Sequence, residues 1–283
     1  MTAVVATYFW TPDPGSKFTV PYTPDDVRLL QRMVARNTTV PHQFAVITDR
    51  PEAFADDRDI MATPLDRATH VPGTCFVRLM TFHPNGREMI GEKVLQIDLD
   101  TVIVGNIDHL LAREDDLVLW RNPARLPWAD LDSAGLKQWC VARGFAAADL
   151  EDIDFSQKKT LVHIAEDGTK TCIFNQMRTH YNTSVLLHRC GSMPELWERF
   201  DPRRPPAKDD QWYLSDLFGM NAPGYFDGAR DGVYRLPRDD TPDPLWVDGQ
   251  LPANACIVTF PGSNGKPNAE IMADNPWIGE CRR

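Results

Sequence analysis

The sequence predicts an α/β domain with one mixed, mostly parallel central sheet flanked by helices. Three observations carry this. Short apolar runs that read as strands recur from Ala3 to Phe260, with helical or turn-rich segments between them. The first three elements read strand, helix, strand, at the lengths that a right-handed βαβ crossover needs. The chain has 283 residues, 42% hydrophobic and 25% charged, the balance of a globular protein with a full core. No composition break is sharp enough for a linker, so one domain is expected over residues 1–283.

Ala3 to Tyr8 is a compact apolar strand, followed by the proline-rich loop TPDPGSKFTVPYTP. Thr23-Pro-Asp-Asp26 opens a helix: a capping hydroxyl, proline at the first helical position and acids in the first turn. Val27, Leu30 and Val34 recur at helical spacing, and Asn37 ends the run. Phe44 to Asp49 is the second strand. Residues 51–70 are charged and weakly patterned. Cys75 to Phe82 is expected to be helical, placing Arg78 near the strand that follows the turn His83-Pro-Asn-Gly86.

That strand is Val94 to Ile107, VLQIDLDTVIVGNI, an apolar run with Asp98 and Asp100 in its middle. Asp116 to Trp120 is another short strand. Residues 121–170 carry little pattern beyond a helix over Leu136 to Arg143. Thr183 to His188 reads as a strand, Ser192 to Phe200 and Lys208 to Phe218 as helices, and Pro223 to Pro252 as loop. Ala255 to Phe260 is the last strand, and Pro261 to Pro267 is a glycine-rich loop suited to an anion.

A formal charge of −10 argues against a nucleic-acid partner. It also means that an anionic substrate needs local help from a cation or from placed Lys and Arg. The six cysteines form no C-x-x-C pair, and reduced thiols are expected. The N-terminal MTAVVATYFW has no basic residue before Lys17, and Pro12 and Pro14 follow at once. It reads as a core strand rather than a signal or an anchor, which implies no integral membrane segment and a cytoplasmic location.

Two carboxylates in an apolar run are costly unless something positive is near. In an extended strand, Asp98 and Asp100 would face the same way, with Cα atoms roughly 7 Å apart. Both can then serve one hard divalent cation, Mn²⁺ or Mg²⁺, directly or through water. A surface strand end with two solvated acids is the plain alternative. Two enzyme chemistries use such a pair. In one, a metal bridges the diphosphate of a nucleotide-sugar and neutralises the leaving nucleotide. In the other, Asp98 is the nucleophile of a phosphatase of the haloacid-dehalogenase type, since DLDTV fits its D-x-D-x-[TV] motif. That motif usually lies on the first strand, whereas here a full βαβ unit precedes it.

In motif order the chain resembles nucleotide-sugar glycosyltransferases of the GT-A fold, the glycogenin and bacterial galactosyltransferase-like group. Arg78-Leu79 ahead of VLQIDLDTVIVGNID is similar to that family's Arg-Leu before its D-x-D strand. Tyr181-Asn-Thr-Ser-Val-Leu-Leu187, Asp210-Gln211 and Phe260-Pro-Gly-Ser-Asn-Gly-Lys-Pro267 resemble three further family motifs in the same order. The resemblance implies a single Rossmann-like GT-A domain. Residues 1–107 would form its nucleotide-binding half, and residues 108–283 its sugar- and acceptor-binding half. It implies retaining transfer of a hexose from a UDP-sugar to an acceptor that the sequence does not identify, a glycan being a candidate. A non-catalytic nucleotide- or glycan-binding member of the fold is a further alternative. Two departures stand out: the family's third metal ligand, a histidine, falls at Thr259, and the C-terminal loop is one residue longer.

The resemblance assigns the acid pair to the metal and Arg78 to the donor; a solvated helix arginine is the plain alternative. Asn182 and Ser184 would hydrogen-bond the donor sugar, or simply satisfy a strand end. Asp210 and Gln211 would face the sugar and the acceptor hydroxyl, although acids at a helix start also complement its dipole. Gly262 and Lys266 suit a pyrophosphate. Tyr8 and Trp10 could stack on the base, or serve as core, and Asp49 could reach the base or ribose.

Overall fold

The computed structural model describes residues 2–12, 22–65, 75–121, 132–142, 145–151, 163–164, 170–171, 180–201, 209–218, 221–237, 245–260 and 267–283. The chain divides into two compact units, one of Met1–Pro123 with Tyr181–Arg283, the other of Ala124–His180. Its strands are β1 (Ala3–Phe9), β2 (His42–Thr48), β3 (Met61–Pro64), β4 (Lys93–Ile97), β5 (Thr101–Ile103), β6 (Leu117–Arg121), β7 (His163–Ile164), β8 (Lys170–Thr171), β9 (Tyr181–Arg189), β10 (Gly224–Phe226), β11 (Val233–Arg235) and β12 (Ile257–Thr259).

The main sheet of the larger unit runs β10-β6-β9-β4-β1-β2-β3. Every pair is parallel except those of β9, which lies antiparallel to both β4 and β6. This is the mixed, mostly parallel sheet that the sequence predicts. A second, small sheet runs β11-β12-β5. The smaller unit holds a helix, Ser133–Val141, capped by Asp132 through Gly135 N at 2.7 Å, and the antiparallel pair β7 and β8.

The opening βαβ unit forms as its sequence signals dictate. In the helix Pro24–Arg36, the Asp26 carboxylate accepts from Thr23 N at 2.7 Å and Thr23 Oγ1 at 2.9 Å, closing the first turn. Val27, Leu30, Met33 and Val34 form its buried stripe. Strand alternation then divides the core. Val5, Phe9, Leu95, Ile97, Val185 and Leu187 pack on the side of that helix. Val4, Ala6, Tyr8 and Val94 face the other way, against Val77 and Met80.

Those last two residues belong to the segment Cys75–Phe82. It is helical, as expected, but a 3₁₀-helix whose eight residues are all buried. Three residues per turn sort CFVRLMTF into three clean stripes. Phe76, Leu79 and Phe82 join one apolar cluster, and Val77 and Met80 another. Cys75, Arg78 and Thr81 remain as the third stripe. An α-helix would smear this partition.

Three expectations are corrected. The run from Val94 to Ile107 is not one strand: β4 ends at Ile97, β5 starts at Thr101, and Asp98-Leu99-Asp100 turn between them. Two carboxylates cannot sit unpaired inside a buried ladder, so the chain leaves the main sheet at the first acid and enters the small sheet after the second. The segment Pro223 to Pro252, read as loop, contains β10, β11 and the helical turn Gly228–Asp231, because three-residue strands carry too little periodicity to read. Over Ser192 to Phe200 only Glu195–Glu198 is helical. The Leu196 carbonyl accepts from the Tyr213 hydroxyl at 2.7 Å, and Phe200 N donates to Trp197 O instead.

Gly232 makes the small sheet possible. Its φ is +70°, and a Cβ there would lie 2.3 Å from Asn254 O. Its carbonyl accepts from both Cys256 N and Ile257 N, which starts β12 beside β11.

His188, the penultimate residue of β9, is fully buried, with its ring edge-on to Phe82 at 4.5 Å between centroids. Neither ring nitrogen makes an aligned hydrogen bond. Burial pushes its pKa from 6.5 down to about 3, against a smaller opposing effect of the Asp116 backbone. The unfolded chain therefore takes up a proton below pH 6.5 that the folded chain refuses. Stability is unaffected by this residue above that pH and falls below it, by at most about 1.4 kcal/mol per pH unit. Urea titrations between about pH 7 and pH 4 should show this slope in the wild type and a flatter one in His188→Leu. An unchanged slope in the variant would assign the loss to other groups.

Candidate functional site

The turn Asp98-Leu99-Asp100 is clamped from both sides. Asp98 N donates to Ser184 O of β9 at 2.9 Å, and Asp100 O accepts from Phe260 N, just past β12, at 3.1 Å. Leu99 is buried in the cluster that holds the helix Pro24–Arg36. Asp98 itself lies toward the 3₁₀-helix, where it meets Arg78.

Arg78 bridges two carboxylates. Its Nη1 donates to Asp98 Oδ2, and its Nη2 donates to Asp210 Oδ1 at 2.8 Å. A third contact, Nε to Asp210 Oδ2, is also 2.8 Å but poorly aligned, an ion pair rather than a directed hydrogen bond. Arg78 is 8% exposed and Asp210 is fully buried. Burial alone would lower the arginine's pKa, but the charges of Asp210 and Asp98 outweigh it and raise it well above the usual value. Asp210 opens the helix Asp210–Phe218, yet it does not cap it. Asp209 does, its Oδ1 accepting from Trp212 N at 2.9 Å, and this leaves Asp210 to turn inward. Cys75, on the same stripe as Arg78, is held inert: burial first, then the Asp210 charge, pushes its thiol up to about 12.

Asp100 is in a different state. Its Oδ1 is enclosed and has no hydrogen-bond partner. Burial, followed by repulsion from Asp98, raises its pKa well above the carboxylate range, and Arg78 offsets only part of this. Tyr22, just before the helix start, lies in the same field: its pKa is raised by burial, then by Asp100 and Asp98. Thr259 pairs with Thr101, the residue after Asp100. The donor set is therefore all oxygen. An orphaned, enclosed carboxylate oxygen beside a second carboxylate suits a hard cation such as Mg²⁺ or Mn²⁺. Among the described residues, no cluster of three or more His, Cys, Asp or Glu side chains could hold a metal, so further ligands would be oxygens of substrate or water.

Asn182 and Ser184 reach this edge through an irregularity. The register of β6 on β9 shifts between Leu119 and Trp120, so that Leu119 faces Leu186 but Trp120 faces Asn182. Thr183 to Val185 bulge out of that ladder, and Asn182 Oδ1 accepts from Ser184 N at 2.8 Å. Beneath them, Gln96 Nε2 donates to Thr183 O at 3.2 Å. Gln211 follows Asp210 in the first helical turn and is partly exposed.

The remaining candidates lie at the ends of β1 and β2. Asp49 accepts from Thr11 N through both oxygens, at 3.2 and 3.1 Å, tying the two strand exits together. Trp10 is half-buried and packs on the cluster that contains Tyr8. Tyr8 is 5% exposed within that cluster. Its hydroxyl lies within the electrostatic reach of Arg78. Gly262 and Lys266 lie outside the described residues.

No protein-family model matches the sequence, and no curated protein matches it in sequence. Solved structures do match in fold. The apo form of the bifunctional glycosyltransferase WbbM aligns with a TM-score of 0.50 at 12% identity, over 99% of this chain and 51% of that one. This chain has the GT-A fold. The galactosyltransferase LgtC, in complex with donor and acceptor sugar analogs, aligns at 0.48 and 14% identity, over 99% of this chain and 95% of that one. The apo form of mouse xyloside xylosyltransferase 1 aligns at 0.46 and 10%, over 92% and 97%.

Sequence reasoning missed Tyr22, Gln96 and Leu99. The only available signal was for Tyr22, which directly precedes a strong helix start. In a GT-A fold that helix start lies at the carboxyl edge of β1.

The Arg78–Asp210 pair generates a stability prediction. Asp210→Ala leaves a buried cation short of a partner and should cost about 3 kcal/mol in denaturant unfolding. Arg78→Met with Asp210→Leu should recover most of that loss, because the two most buried charges then go together and only Asp98, the most accessible of the three, is left without its partner. Equal losses in the single and double variants would mean that packing, and not charge, sets the cost.

Proposed function

We infer that the protein is a metal-dependent glycosyltransferase that moves a hexose from a nucleoside-diphosphate sugar, with uridine as the base, to an acceptor hydroxyl. The observation that carries this reading is the meeting of Arg78, Asp98 and Asp210, from three separate elements, beside the orphaned carboxylate of Asp100 on a GT-A sheet.

Asp98 and Asp100 would hold Mn²⁺ or Mg²⁺. Bound there, the ion would supply Lewis-acid neutralisation of the leaving diphosphate. Arg78 contributes a fixed guanidinium at the same edge, suited to phosphate oxygens or sugar hydroxyls. Asp210, buried behind it, acts by holding that guanidinium in place. Asn182 and Ser184 present polar groups where the β9 bulge opens, and they orient the sugar. Gln211, partly exposed, is the group of this pair that faces the reacting side. Asp49 keeps the β1 and β2 exits together for the nucleotide. Gly262 and Lys266, which the sequence places in a glycine-rich stretch following Phe260, would attend the pyrophosphate. The resemblance to the glycogenin and galactosyltransferase-like group adds retention of anomeric configuration, with a glycan as acceptor.

Thermal melts with UDP, GDP, ADP and CMP, each with and without Mn²⁺, test the reading. UDP with Mn²⁺ should stabilise the protein, by about 2.7 kcal/mol at a hundred times its dissociation constant. Asp98→Asn and Asp100→Asn should lose the metal-dependent part while melting normally without ligand. No response to any nucleotide would overturn the assignment. With a UDP-hexose and a glycan acceptor, NMR of the first-formed product should show the donor's anomeric configuration. Inversion would refute the retaining mechanism alone.

A further inference from the structure

We propose that Arg78 is the resident counter-cation of the acid pair, and that a divalent cation binds by displacing it from Asp98. The inference rests on the reading that Asp98 and Asp100 hold that cation. Asp98 Oδ2 is already taken by Arg78 Nη1. A divalent ion on the same carboxylate would repel the guanidinium, so the two compete for Asp98.

The geometry makes the exchange inexpensive. Arg78 touches Asp98 through one nitrogen and Asp210 through two, at 2.8 Å each. Releasing Asp98 leaves the buried anchor on Asp210 intact, and the arginine keeps a partner throughout. Asp98 is the more exposed partner, its side chain 18% accessible against none for Asp210, so its end of the bridge opens first. Asp100 Oδ1, enclosed and without a hydrogen bond, shows what the bridge leaves unmet: Arg78 neutralises one acid, and the other waits for a cation.

A functional coupling follows. Once displaced, Nη1 is a charged donor with no acceptor and is available to an anionic group such as a diphosphate. The ion would raise donor affinity by freeing Arg78, and the donor would raise ion affinity equally, because binding linkage is reciprocal. An arginine that only packs would produce no such coupling.

The test is Mn²⁺ binding without nucleotide, followed through the electron paramagnetic resonance signal of the free ion. The variant Arg78→Gln with Asp210→Asn removes one positive and one negative charge, so net charge is unchanged, the fully buried carboxylate goes with its partner, and the more accessible Asp98 is freed. It should bind Mn²⁺ about tenfold more tightly than wild type, the scale of one charged hydrogen bond. In the same variant, saturating UDP should raise Mn²⁺ affinity less than it does in wild type. Arg78→Gln alone should show the same direction, and circular dichroism checks that each variant is folded. Equal or weaker Mn²⁺ affinity in the folded variants overturns the proposal. Asp98→Asn and Asp100→Asn separate the two levels. If both keep wild-type Mn²⁺ binding, the ion sits elsewhere and the functional reading fails with the inference. If both lose it while the Arg78 variants gain nothing, the reading stands and only the displacement falls.

Discussion

A guanidinium as buried as Arg78 is stable only where carboxylates meet it, and here two do, from segments far apart in the chain. The bridge needs the 3₁₀ geometry of Cys75–Phe82, which gives Arg78 a stripe of its own between two apolar stripes. It needs Asp209 to take the capping role, so that Asp210 can turn inward. It also needs the chain to leave the main sheet at Asp98 and not one residue later. Each condition is local, but the ion pair forms only when all three hold together.

The second constraint is the seam between two sheets. β4 and β5 belong to different sheets, and the three residues joining them carry both acids. Backbone bonds to Ser184 O and from Phe260 N hold this seam against β9 on one side and the end of β12 on the other. The antiparallel β9 and its bulge thereby put Asn182 and Ser184 at the place where the acids turn out of the sheet. A seam is where polar groups can collect without breaking a ladder, which gives a physical reason for a site to lie there.

Charge sharpens this arrangement. With a net charge of −10, the protein repels anions at long range, so any anionic ligand depends on cations placed at the site. Asp98 and Asp100 are close in sequence but not equivalent. One is paired with Arg78, while the other has an oxygen enclosed without a partner and a raised pKa. Two like charges with one resident cation form an incomplete set, and a divalent ion would complete it.

Much of this was legible in the sequence because it depends on neighbours within a turn or a strand. The cap at Thr23, the buried stripe from Val27 to Val34 and the parallel start of the sheet follow from local spacing. So does the expectation that two acids in an apolar run need a positive partner nearby. Even the period-three pattern of CFVRLMTF is local, though reading it as 3₁₀ requires knowing that all three faces are buried. What the sequence left open was decided by pairing over distance. The break of the acid strand depends on β5 finding β12, more than 150 residues later in the chain. The choice of Asp210 as the arginine's second partner spans 132 residues. The bulge that sets Asn182 and Ser184 apart exists only when β9 lies between β4 and β6. Local chemistry determined which residues carry charge and which way each element turns; only tertiary packing decided which charges meet, because burial in a shared low-dielectric interior is a property of the assembled sheets and not of any segment.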